Sequence, residues 1–185
     1  TLHRLGPEDA PRGAALNAEI GWNQTVADWY FMLVNGAGFG RTNRDGKLIA
    51  IAISLNYGDF AWVCMVLASP EYRGMSLASD LMRRVTDDLL ANDIVPGLDA
   101  TLDERETYRL LGFEDIYGLN RMWADRVSPS SEGNETPVRI ASITPGEIDE
   151  ISDYDEPGFG GNRRALLAHL RECTPPRAFV ARAGE

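Results

Sequence analysis

The run Pro70-Glu71-Tyr72-Arg73-Gly74-Met75-Ser76-Leu77-Ala78-Ser79-Asp80-Leu81-Met82 has residue types and spacing suited to holding an anion. It follows an apolar stretch and opens an amphipathic one, so it reads as a strand turning into a helix. The first turn of a helix presents backbone N–H groups without partners and carries partial positive charge, which suits a phosphate or pyrophosphate. Gly74, Ser76 and Ala78 lack bulk and would let a ligand approach the backbone. A cofactor bearing a diphosphate is the chemistry this predicts. The same small residues would also serve a plain strand–turn–helix corner, and spacing alone does not choose between the two.

Arg73-Gly74-Met75-Ser76-Leu77-Ala78 resembles the acetyl-CoA loop of the GNAT acetyltransferase superfamily, Arg/Gln-x-x-Gly-x-Gly/Ala, with Ser76 where the family usually has its central glycine. The similarity extends in order over about residues 3–123. Gly21-Trp22-Asn23-Gln24-Thr25-Val26-Ala27-Asp28-Trp29 resembles the entry segment of a bacterial subgroup. Trp62 to Leu67 resembles its fourth strand, Leu98-Asp99-Ala100-Thr101 its fifth, and Tyr108-Arg109-Leu110-Leu111-Gly112-Phe113 its Tyr-x-x-x-Gly-Phe signature.

The resemblance implies that acetyl-CoA and an amine bind together and that the neutral amine attacks the thioester directly. An alkylamine is protonated at neutral pH, so a base is required, and the departing thiolate requires an acid. The family's acid maps to Tyr108. Asp99 and Glu19 are the candidates for the base, beside a water relay. The pantetheine arm would lie along Met65, Val66 and Leu67. Arg73, Gly74, Met75, Ser76, Leu77 and Ala78 would hold the pyrophosphate. Many members have a cofactor-contacting asparagine seven residues before the tyrosine; here that position is Thr101. Trp22, Asn23 and Trp62 are candidates for the acceptor pocket. The expected activity is N-acetyl transfer to a primary amine, of a small molecule rather than a protein. The rival reading is an acyl-CoA-binding regulatory module without catalysis, which Ser76 and Thr101 favour.

The elements that would position these residues are legible as pattern. Thr25 is placed to cap a helix with Asp28 as its box partner, and Trp29, Met32 and Leu33 share one face. Asp45-Gly46 predicts a hairpin between Phe39–Thr42 and Leu48–Leu55. Within that second strand Ile49, Ile51 and Ile53 face one way and Ala50, Ala52 and Ser54 the other. Phe60–Ala68 is the next strand. Leu77, Leu81, Val85 and Leu89 give the following helix an apolar face. Asp93–Ala100 is expected to return as a strand, Glu104–Leu111 as a short helix and Phe113–Trp123 as a final strand. The fold class is therefore α/β, a mixed, mostly antiparallel sheet flanked by helices as in the GNAT fold.

Domain boundaries are expected at 1–124 for the acetyltransferase domain, 125–137 for a linker, and 138–185 for the start of a second, partial α/β module like the first. The polar run Ser128–Glu135 motivates the linker. In the second segment Val138–Ile140 is expected as a strand, Thr144–Glu147 as a helix entry, Asp155–Gly161 as a glycine-rich loop, Arg163–Cys173 as an amphipathic helix and Arg177–Arg182 as a strand. The subgroup resembled carries a second GNAT-like module, so 138–185 would be its opening part. The chain begins at Thr1, and its natural start is expected to lie upstream.

The formal net charge of −10 over 185 residues argues against nucleic acid or an anionic membrane as partner and is compatible with a cationic amine. No apolar run reaches membrane-spanning length and no signal peptide heads the chain, so a cytoplasmic location is expected. Two cysteines, Cys64 and Cys173, do not make a disulfide framework, and Cys64 reads as a core thiol. With two histidines, His3 and His169, and no evident cysteine–histidine cluster, no metal site is expected. A homodimer is possible on this reading.

Overall fold

The computed structural model describes residues 1–120, 122–126 and 138–183. The first part runs β1 (Leu2–Leu5), α1 (Ala10–Glu19), α2 (Val26–Asn35), β2 (Gly36–Thr42), β3 (Leu48–Asn56), β4 (Phe60–Ala68), α3 (Leu77–Leu90), β5 (Val95–Gly97) and α4 (Leu102–Leu110). The strands form one sheet in the order β1-β2-β3-β4-β5. All pairs are antiparallel except β4–β5, which is parallel and joined through α3.

Alternation in β3 divides the core. Ile51 and Ile53 turn to the face covered by α1 and α2, with Leu16, Trp29, Met32 and Leu33. Ala50 and Ala52 turn to the face covered by α3, where Leu81, Met82, Val85 and Leu89 are buried. Small residues on that side let α3 lie close to the sheet, and burying each of its apolar side chains is worth roughly 1.5–3 kcal/mol. Trp29 is fully buried against Gly13; a Cβ there would meet the indole at 2.5 Å, so glycine sets the approach of α1 and α2.

Caps and turns follow local chemistry. The Thr25 Oγ accepts from the Asp28 N–H, while Asp28 Oδ2 accepts from the Thr25 N–H and hydroxyl, both at 2.7 Å. In the β2–β3 hairpin, Asn43 Oδ1 accepts the N–H groups of Asp45 and Lys47 and Gly46 takes φ +80°. The hairpin strand reaches back to Gly36, further than its sequence pattern.

The second part runs β6 (Val138–Ser142), α5 (Ile148–Phe159), α6 (Arg164–Cys173) and β7 (Phe179–Ala183), with β6 and β7 antiparallel. Strand, 3-10 turn, two helices and returning strand repeat the order of the opening β1-α1-α2-β2. In its Thr144–Glu147 turn the Glu147 carboxylate accepts the Thr144 N–H at 2.8 Å, as the Asp9 carboxylate accepts the Gly6 N–H at 3.2 Å in the first part. The two parts meet where Phe159 packs on Tyr57 and Phe60, at ring separations of 5.1 and 5.5 Å, and where α6 lies on α2.

Four sequence expectations need correction. Residues 113–120 and 122–124 form no strand; Ile116, Leu119, Met122 and Trp123 are exposed and nothing pairs with their backbone among the described residues. The fifth strand is only Val95–Gly97, because Pro96 offers no N–H and the chain then turns away from β4. Asp155–Gly161 is not a loop: α5 continues through Pro157 to Phe159, and Gly160, at φ +86°, ends it. Arg177 belongs to a 3-10 turn rather than to β7. Residues 127–137 of the expected linker lie outside the described residues.

Candidate active site

Strand β4 is irregular where the family resemblance would lay the cofactor arm. Opposite β3, Ile51 pairs with Leu67 and Ile53 with Cys64, so β4 carries one extra residue. Met65 absorbs it at φ 51°. This is a β-bulge, and it sends Cys64 and Met65 to the same α1–α2 face while Val63 and Val66 face α3. On its other edge β4 pairs with β5 only from Phe60 to Trp62. Beyond Trp62 the strands part, and no described strand pairs with the edge from Val63 to Ala68. An open edge of this kind can bind an extended, amide-bearing ligand as it would bind another strand. Trp62 sits at the fork, its ring against Gly97, where a Cβ would lie 3.0 Å from it. Burial in β4 pushes the Cys64 thiol up to about 12, so it is an inert core group.

The strand runs directly into the loop. Ser69 is buried; its N–H donates to the Ile49 carbonyl at 2.8 Å and its hydroxyl to Glu19 Oε2 at 2.9 Å. Gly74 takes φ +77° with open space where a Cβ would stand. Ser76 caps α3 in the left-handed region, φ 56°, without a side-chain cap bond. That conformation explains why glycine suits the position. The N–H groups of Leu77, Ala78 and Ser79 lack intrahelical acceptors, as at every helix start. Arg73 is exposed and, among the described residues, has no carboxylate partner. Met75 is also exposed. Open edge, positive-φ loop and bare helix start are continuous, and they fit a ligand with an amide arm ending in a diphosphate.

The structure brings Val66, Leu77 and Tyr108 into one apolar cluster, with the Tyr108 ring edge-on to Phe113 at 6.1 Å. Burial, with the nearby Glu104 charge, pushes the Tyr108 phenol up to about 12. It therefore keeps its proton at neutral pH and can donate one. The candidate bases differ. Glu19 accepts from Lys47 Nζ at 2.6 Å and from Ser69; these bonds hold its carboxyl below the usual range, which weakens it as a base and makes it an anchor for the loop entry. Asp99 is exposed on the segment after β5. Thr101 caps α4, and its hydroxyl donates to Glu104 Oε2 at 3.2 Å.

Trp22 and Asn23 are exposed on the α1–α2 loop. Their loop is pinned from below: Asn17, buried at 1% exposure, donates Nδ2 to the carbonyls of Trp22 at 3.0 Å and Gln24 at 3.3 Å. Sequence reading missed Asn17, although a polar residue on the helix face of Gly13 and Leu16 was the available signal. It also missed a cluster. His169 and Cys173, one turn apart on α6, stand with Asp28, which overturns the expectation of no cysteine–histidine group.

Comparison with known proteins places this geometry. The sequence matches the acetyltransferase (GNAT) family over residues 11–113, more than half of the chain. No curated protein matches it closely. Among solved structures it resembles a Trypanosoma brucei acetyltransferase (14% identity, TM-score 0.56, covering 67% of this chain and 99% of that one). It also resembles glucosamine-6-phosphate N-acetyltransferase from Arabidopsis thaliana (12%, 0.56, 68% and 98%). A Pyrococcus horikoshii protein described as an acetyltransferase aligns over 93% of this chain and 62% of its own length (16%, TM-score 0.65). At these identities the structures speak for the fold.

Proposed function

The chain belongs to the acetyltransferase (GNAT) family, and from that membership we propose that it moves an acetyl group from acetyl-CoA to a primary amine of a small molecule, both substrates being bound together. The observation that carries this reading is the open edge of β4 leading into the Gly74–Ser76 loop. The backbone of Met65, Val66 and Leu67 would receive the pantetheine amides. Arg73 and the N–H groups from Gly74 to Ala78 would hold the pyrophosphate. Acetyl-CoA supplies the activated acyl group as a thioester.

The Tyr108 phenol would donate its proton to the sulfur as the C–S bond breaks. A backbone N–H at the Met65 bulge would stabilise the charge that develops on the carbonyl oxygen. For the base, Asp99 is preferred to Glu19, whose carboxylate is already engaged by Lys47 and Ser69. Trp62 at the fork, with Trp22 and Asn23, is proposed for the acceptor side. Residues 138–183 are proposed as the opening part of a second module of the same kind, supported by the repeated element order.

Calorimetric titration with acetyl-CoA, beside desulfo-CoA and NAD, tests cofactor use. Selective binding that Gly74→Glu abolishes is the expected result; retained affinity in that variant would remove the loop from the site. Tyr108→Phe should lower turnover about 10²–10⁴-fold with acetyl-CoA affinity nearly unchanged. Because the phenol titrates near 12, the wild-type rate should show no fall from its ionisation at pH 7–10. Unchanged turnover in Tyr108→Phe would exclude it as the acid. Binding without turnover on any amine would favour the regulatory reading.

A further inference from the structure

A groove of about 690 Å³ lies between α2 and α6, away from the β4 edge, lined by Val26, Tyr30, Phe31 and Val34 on one side and Ala168 and Cys173 on the other. His169 and Cys173 line it, and Asp28 meets His169 beside it. Asp28 Oδ1 and His169 Nε2 are 2.8 Å apart, and Cys173 Sγ is 3.6 Å from the same nitrogen. One donor atom from each lies within 4.8 Å of the other two. We propose that Asp28, His169 and Cys173 bind one divalent transition-metal ion, zinc by the character of the donors, with the fourth position open to the groove.

A tetrahedral ion with bonds of about 2.3 Å to sulfur and about 2.0 Å to imidazole nitrogen holds those two donors about 3.5 Å apart. Sγ stands 3.6 Å from Nε2 but also 3.8 Å from Nδ1, beside the ring rather than along the Nε2 lone pair, so Cys173 turns about its Cα–Cβ bond to share the ion. Nitrogen and carboxylate oxygen would need about 3.3 Å. Asp28 and His169 therefore part by about half an ångström to admit the ion. Thiolate, imidazole and carboxylate together favour a borderline-soft cation over magnesium or calcium.

Each donor is held by a separate contact. Thr25 occupies Asp28 Oδ2 and leaves Oδ1 for the metal. Phe31 stacks on the His169 ring at 4.4 Å and 13°, which fixes the plane of the imidazole. Cys173 follows His169 by four residues on α6, so helical spacing puts both on one face. Such support of ligands by their neighbours is typical of working metal sites. Binding forms the metal–sulfur bond as the thiol proton leaves to solvent, and the proton that Nε2 shares with Asp28 moves to Nδ1, which frees the Nε2 lone pair. Two of the donors come from the second part of the chain and one from the first, so the ion would fasten α6 to α2.

The test uses the full chain and metal alone. Zinc is titrated in competition with a chromophoric chelator, and cobalt(II) is added as a spectroscopic stand-in. The expected result is one equivalent of zinc and a cobalt complex with thiolate-to-metal charge-transfer absorption. Cys173→Ser should abolish that absorption and weaken zinc at least about a hundredfold, more than loss of a supporting contact does. Asp28→Asn, which keeps an acceptor for Thr25, should weaken zinc about tenfold. Cys173 is exposed, so its serine variant should fold, and a thermal melt without metal checks this. Failure of the wild type to take up one zinc, a cobalt complex without the thiolate band, or equal zinc affinity in Cys173→Ser would each overturn the proposal.

Discussion

Replacing Ser76 by glycine probes the loop at its most strained residue. Ser76 stands at φ 56°, ψ 16°. A side chain in the left-handed region costs about 1–2 kcal/mol. Glycine removes that cost but gains freedom in the unfolded chain worth about 0.4–1 kcal/mol. No side-chain cap bond is lost, because Ser76 makes none. The balance is a stabilisation between about zero and 1.5 kcal/mol, and each kcal/mol moves the melting temperature of a domain this size by about 2–4 °C. Ser79, already inside α3, is the internal control: glycine there should cost about 0.5 kcal/mol and lower Tm. Circular-dichroism melts of the two variants should shift in opposite directions. A Tm that falls equally in both would refute the strain argument. Acetyl-CoA titration adds a second reading. If the loop binds through its backbone, Ser76→Gly keeps or improves affinity; a tenfold loss would show that the serine hydroxyl is itself the contact.

Gly13→Ala should gain about 1 kcal/mol of helix propensity and lose more to the 2.5 Å clash with buried Trp29, for a net cost of about 1–2 kcal/mol and a Tm several degrees lower by calorimetry; an unchanged Tm would mean that the indole has room to yield. Glu147 is held ionised by the Thr144 hydroxyl and N–H and then by Arg182, which bring its carboxyl from 4.5 down to about 2. The fold therefore prefers the carboxylate, and this contribution is complete above pH 4.5 and lost as pH falls toward 2. Hydrogen exchange across β6 and β7 should accelerate over that interval in the wild type and less so in Glu147→Gln.

What could be read from the sequence was local in origin. The Thr25–Asp28 box depends on four residues, the Asp45-Gly46 turn on two, and the buried face of α3 on its own spacing. The placement of the loop after β4 was equally readable. The Met65 bulge was not, because a non-glycine residue at positive φ is set here by the register of β4 against β3. Residues 113–120 and 122–123 show the opposite failure: they were expected as a strand, but a strand exists only where a neighbour offers its edge. The glycines from Gly158 to Gly161 suggested a loop, yet α5 runs on through Gly158 to Phe159. The Asp28–His169 contact joins positions 141 apart in sequence. No periodicity reports such a contact, although the four-residue spacing of His169 and Cys173 was visible once helix α6 was drawn.

The fork between β4 and β5 has a bearing on solubility. A site that offers unpaired strand backbone to a small molecule offers it equally to any passing polypeptide, and self-association through such edges is a standing hazard of sheets. The bulge at Met65 answers this. It breaks the regular spacing of the N–H and C=O groups along the rim, so a straight intruding strand cannot keep its ladder past that point. An arm with its own amide spacing, ending in charge, is not bound by that register. The distortion thus makes the rim selective as well as open, and shortening β4 by deleting Met65 would leave a straight edge prone to clump.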